Sequence, residues 1–105
     1  MNRIQFTKNL CLFTLEMIKA GERPIFNEIK RETIQQVYYF LTKLSKCDGI
    51  NKRSKHQDGL ACDIFFVDEN GNLDWTRARY EKWHKRWEKL GGKPIIHWDL
   101  PHFEG

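Results

Sequence analysis

The octapeptide Leu60-Ala-Cys-Asp-Ile-Phe-Phe-Val67 constrains this chain more than any other stretch. It is apolar and long enough for a central β-strand. Polar residues 46–57 lie before it, and Asp68-Glu-Asn-Gly-Asn72 follows with strong turn chemistry. A carboxylate inside such a run is costly to bury unless it is paired or bound to a cation. On this segment alone, a purposeful Asp63 and one sitting at a sheet rim or beside an arginine weigh equally. Strand alternation places Asp63 on the opposite face from Cys62 and Ile64, so Cys62 is expected in the core.

Helical patterns surround this strand. Leu10, Phe13 and Met17 share a face over residues 7–20, with Thr7 as the expected cap and Gly21 as the stop. An extended stretch over residues 24–29 precedes a second helical pattern over 33–44, where Val37, Phe40, Leu41 and Leu44 align. Leu73 is expected to start a short partner strand that closes a hairpin. Thr76 should cap a third helix running to Lys89 and ended by Gly91-Gly92, before a last strand over residues 94–98 and a turn at Pro101. At 105 residues the chain has room for one core. The expectation is a single α+β domain spanning residues 1–105, with helices packed on a small antiparallel sheet that carries the site along one edge or face.

Charge and cysteine usage narrow the function classes. Eighteen Lys and Arg against fourteen Asp and Glu give a net charge of +4, which favours anionic partners such as a cell-wall polymer. The basic residues are dispersed, with short clusters only at Lys52-Arg53 and Lys85-Arg86, so no specific nucleic-acid partner is expected. Cys11, Cys47 and Cys62 lack the close-paired spacing of a zinc knuckle or a redox motif. Charges within the apolar N-terminal stretch argue against a signal peptide or a membrane span. Synthesis and residence in the cytoplasm are the corresponding expectation; if the substrate lies outside the membrane, something else must deliver the protein. A monomer is expected.

Two blocks concentrate chemistry. In the first, His56 lies on a loop and Asp63 follows seven residues later on the strand, so both can reach one point, and the small Gly59 and Ala61 between them allow close backbone approach. In the second, His97-Trp-Asp-Leu-Pro-His-Phe-Glu104, a bend at Pro101 can bring His102 to a metal and Asp99 beside the attacking water, where a general base belongs. Two imidazoles and one carboxylate leave one tetrahedral position open, as catalytic zinc requires. Hydrolysis follows from that arrangement.

These blocks resemble the zinc family of D-alanyl-D-alanine carboxypeptidases and phage L-alanyl-D-glutamate endopeptidases. The family pattern S-x-H-x-x-G-x-A-x-D is met by Ser54, His56, Gly59, Ala61 and Asp63, and its D-x-x-H ending by Asp99 and His102. The resemblance implies one zinc per chain on His56, Asp63 and His102, with Asp99 as acid and base, in the fold shared by hedgehog domains and D-Ala-D-Ala peptidases. It implies the peptidoglycan stem peptide as substrate, with two equal settings: release to the cell wall at phage lysis, or action in the cytoplasm on recycled wall peptides. Cleavage between L-Ala and D-Glu is preferred over carboxypeptidase action on terminal D-Ala-D-Ala, and a non-catalytic wall-binding module is the alternative from another class.

The resemblance extends over residues 25–105. Arg31 with Gln35-Gln36 resembles the family's arginine-and-glutamine block, which makes Arg31 a candidate to bind a substrate carbonyl or the oxyanion; Glu32 stands where the family usually has Thr or Ser. Ser54 and His97 are candidates for substrate contact. A surface position or a supporting role behind the site is the more frequent reading of His97. Glu104 is placed to orient His102 by a hydrogen bond, though a solvated terminus fits equally. His84, between Trp83 and Trp87, is read as packing.

Overall fold

The computed structural model describes residues 1–28, 41 and 55–105. Helix α1 spans Arg3–Lys19 and starts earlier than Thr7 suggests. Asn2 caps it through a reciprocal pair: Asn2 Oδ1 accepts from the Gln5 backbone N–H at 2.8 Å, and Gln5 Oε1 accepts from the Asn2 N–H at 2.9 Å. That pair satisfies two otherwise orphaned donors, which a cap at Thr7 would leave exposed. Thr7 lies within the helix instead, its hydroxyl donating back to the Arg3 carbonyl. Phe6, Leu10, Phe13 and Met17 form the buried face.

Strands β1 (Pro24–Glu28), β2 (Ala61–Phe66) and β3 (His102–Glu104) form one antiparallel sheet in the order β1-β2-β3. The chain is thus α+β, with β2 central as its composition requires. Cys62, Ile64 and Phe66 point into the core, while Asp63 and Phe65 emerge on the other face, half-buried. Asp68 Oδ1 accepts from the Asn70 and Asn72 N–H groups to close the turn after β2. Leu73 returns to meet Val67 in a single bridge rather than a strand.

The expected final strand over residues 94–98 is not formed. The edge of β2 is taken instead by residues 102–104, because Phe103 opposite Cys62 is completely buried there. Ile95 and Ile96 are only half-buried in the segment leading to that edge.

Helix α2 (Arg77–Lys89) covers the sheet with Tyr80, Trp83, His84 and Trp87. Thr76 stands at its N-cap but makes no side-chain cap; its hydroxyl donates to Asp74 at 2.6 Å. Phe13 lies 5.9, 5.1 and 5.2 Å from the rings of Trp83, Trp87 and Phe103, which ties α1, α2 and β3 into one core. Each large apolar side chain buried in this way contributes about 1.5–3 kcal/mol. Of the helical pattern expected over residues 33–44, only Leu41 is described, and it is exposed rather than on a buried face; the rest of that stretch, Arg31, Cys47 and Ser54 lie outside the described residues. Among the described residues, no helix is long and apolar enough to cross a membrane.

The end of α2 is closed by the Gly92 N–H donating to the Trp87 carbonyl. A Cβ on Gly92 would run into the Trp87 indole, which is pinned by its own N–H to the Glu104 carbonyl at 2.8 Å. Overpacking against a fixed ring costs about 2 kcal/mol. Gly92→Ala is therefore expected to lower the melting midpoint by about 10 °C. An unchanged thermal melt would show that the indole yields.

Candidate metal centre

Two adjacent strands and one turn build the site. Asp63 on β2 is the cross-strand partner of His102, the first residue of β3, so antiparallel register sets the two side chains next to each other. His56 comes from the turn over residues 55–59, where the Gly59 N–H donates to the His56 carbonyl and the Leu60 N–H to that of Lys55. Gly59 supplies the positive φ of 69° that this turn needs. Its missing side chain faces Arg3, and Ala61 lies buried in the sheet opposite Glu104. Their small size therefore serves the turn and the packing rather than an approach to the site.

His56 Nε2 lies 3.2 Å from His102 Nδ1 and 3.3 Å from Asp63 Oδ1; His102 Nδ1 and Asp63 Oδ1 are 3.7 Å apart. The three form a group able to hold a metal ion. Zinc bonds of about 2.0–2.2 Å give tetrahedral ligand–ligand edges of about 3.3–3.6 Å, and the edges of this triangle fall within about 0.1 Å of that range. Asp63 Oδ1 is buried and accepts no hydrogen bond from the described residues, although two imidazole nitrogens are beside it. His56 Nε2 is within hydrogen-bond distance of His102 Nδ1 and ion-pair distance of Asp63 Oδ1, so the three atoms converge on one point. A cation there relieves a buried acceptor that is otherwise costly to leave unsatisfied.

The electrostatics suit a positive charge. Burial pushes the Asp63 carboxyl up, but the imidazoles of His102 and His56 outweigh it and hold it well below the usual carboxylate range. Burial likewise works against charge on His102, yet Asp63, Glu104 and Asp99 raise it to about 9. Glu104 Oε1 lies 3.1 Å from His102 Nε2 and is itself held below its ordinary value chiefly by that bond. A carboxylate only accepts, so Nε2 carries the proton, and in the neutral ring Nδ1 presents its lone pair to the site.

Asp99 Oδ2 lies 4.0 Å from His102 Nδ1, in the turn where the His102 N–H donates to the Asp99 carbonyl. A cleft of about 460 Å³ opens beside it, lined by Asp63, Phe65, Trp75, His97, Trp98 and Asp99. The structure thus brings His56, Asp63, His102, Asp99 and Glu104 together and sets His97 on the cleft. Arg31 and Ser54 are not among the described residues. Cys62 points away, buried, and its thiol is pushed up to about 12 by burial and by Asp63, which removes it as a ligand.

His84 does more than fill space. Its Nε2–H donates to the Leu100 carbonyl at 2.6 Å, and its ring stacks on Phe103 at 3.9 Å, so it props the turn that carries Asp99 and His102. Burial lowers it to about 4 and keeps it neutral. Arg77 is a second contributor that sequence spacing does not signal: it reaches His97 across 20 residues.

No family model matches the chain. Over 104 residues it is 27% identical to phosphoenolpyruvate carboxylase 1 of Arabidopsis thaliana, a match covering 99% of this chain and 11% of that protein. The chain spans about a tenth of the length of the curated relative it matches.

Proposed function

We propose that this chain is a zinc peptidase that hydrolyses a bond of the peptidoglycan stem peptide, with the L-alanyl-D-glutamate bond preferred. The observation that carries the reading is the convergence of His56 Nε2, Asp63 Oδ1 and His102 Nδ1 beside a carboxylate and an open cleft. The resemblance of residues 54–63 and 99–102 to the peptidase motifs supports the substrate class. The match to a phosphoenolpyruvate carboxylase covers too little of that protein to carry its named activity.

In this reading His56, Asp63 and His102 hold one zinc ion, which when bound supplies Lewis acidity and acidifies water. Asp99, reachable from the cleft, takes a proton from the attacking water. As the carbon–nitrogen bond breaks, Asp99 returns that proton to the leaving amine, so the products are a carboxylate and an amine. Glu104 keeps His102 oriented through Nε2, and His84 holds the Leu100 carbonyl so that the Asp99 turn keeps its shape.

The test is digestion of purified peptidoglycan by the zinc-loaded protein, with the fragments identified by mass spectrometry. Fragments bearing a new D-Glu amino terminus are expected. Release of terminal D-Ala would shift the assignment to a carboxypeptidase. The absence of any fragment would favour a wall-binding module.

A further inference from the structure

Arg77, the first residue of α2, engages all three guanidinium nitrogens, Nε within the helix on Glu81 and both terminal nitrogens on His97. Its Nε donates to Glu81 Oε1 at 3.1 Å, Nη1 donates to the His97 carbonyl at 3.4 Å, and Nη2 lies 2.8 Å from His97 Nδ1. A guanidinium has five donors and no acceptor, so His97 Nδ1 must accept. In the neutral ring the proton is then fixed on Nε2. Arg77 and Glu81 are both half-exposed, so neither fills the core.

His97 lines the same cleft as Asp63 and Asp99. With Nδ1 taken by Arg77, Nε2 is the donor that the ring has left to offer that cleft. Resting on the peptidase reading, we propose that Arg77 and His97 are a substrate-binding pair: Arg77 is the positioning residue, and His97 Nε2–H donates to an oxygen of the bound peptide. A peptide carbonyl and a side-chain or α-carboxylate share the required chemistry, an oxygen acceptor with a free lone pair. Holding the ring in one orientation and one tautomer before the substrate arrives reduces the ordering that binding must otherwise impose.

Two measurements on the full zinc-loaded chain test the pair. Nitrogen-15 NMR of the imidazoles should show neutral His97 mainly as the Nε2–H tautomer, and Arg77→Met should move it toward a mixture. With the stem peptide as substrate, His97→Phe should raise KM about three- to tenfold, the effect of losing one neutral hydrogen bond, with zinc content unchanged. His97→Gln, which returns an N–H donor near the same point, should recover most of that loss. If the His97→Phe effect disappears on a peptide carrying γ-aminobutyrate in place of D-Glu, the acceptor is the α-carboxylate; if it persists, the acceptor is a backbone carbonyl. An Nδ1–H tautomer in the unsubstituted protein, or an unchanged KM in His97→Phe, would overturn the pair. Failure of the unsubstituted protein to cleave any peptide would instead overturn the peptidase reading and the substrate contact with it, while the tautomer measurement still decides the Arg77–His97 arrangement.

Discussion

His102→Ala is expected to lower zinc affinity by more than about a hundredfold, because the loss of groups that merely orient a ligand already costs about 10- to 100-fold. The substitution leaves Asp63, buried and facing His56, as a carboxylate with one of its two imidazole neighbours removed. The pH dependence separates a ligand from a packing residue. In the metal-free chain His102 is raised to about 9, so zinc must displace one proton there, and affinity should rise about tenfold per pH unit up to about pH 9. The alanine variant should lose that share of the slope. The metal-free fold should show the opposite trend, since a folded pKa above the unfolded value of about 6.5 gives stability that is present below pH 6.5 and lost as pH rises through 9. Elemental analysis and chelator competition read the affinity, and thermal melts with and without chelator read the two trends. Full retention of zinc by a folded His102→Ala would remove His102 from the ligand set.

What the sequence revealed of this molecule follows the range of the interactions involved. Leu10, Phe13 and Met17 disclosed α1 because one buried face repeats along one helix. Its start was hidden because the Asn2–Gln5 pair precedes any hydrophobic repeat. The strand over residues 61–66 was legible from its apolar run between polar and turn-forming segments, and the outward face of Asp63 from alternation. Strand β3 was not, since three residues with a single buried side chain make no pattern, and Pro101 reads as a turn whatever follows it.

The site shows the same division. The residue types at 56, 63, 99 and 102 could be picked out by chemistry and motif, but the pairing of Asp63 with His102 is a fact of sheet register that no local spacing contains. Glu104 and His102 share a strand face two residues apart, so their contact becomes readable once β3 is placed. The bond from Arg77 to His97 joins two exposed residues on different elements and leaves no periodic trace. His84 was concealed by its tryptophan neighbours, which suggest packing and say nothing of the carbonyl it holds.

Asp99→Ala is expected to leave zinc bound while reducing kcat by about 100- to 10,000-fold, the range for removing a positioned general acid or base. The two effects separate because of where the carboxylate lies. At 4.0 Å from His102 Nδ1, Asp99 is a weak partner of the ligand set, and its half-exposed side chain fills no part of the core. Zinc content and melting midpoint should therefore stay close to those of the unsubstituted protein. Asp99→Asn is the sharper version, since it preserves shape and hydrogen bonding but cannot take a proton. If proton transfer is the role, the amide should lose as much turnover as alanine; if Asp99 only shapes the turn before Pro101, the amide should be nearly normal. The loss corresponds to about 3–5 kcal/mol of transition-state stabilisation, concentrated in kcat rather than KM because the proton moves only as the bond is made and broken. Near-normal turnover in Asp99→Asn would assign the base to another group and leave Asp99 as a turn residue.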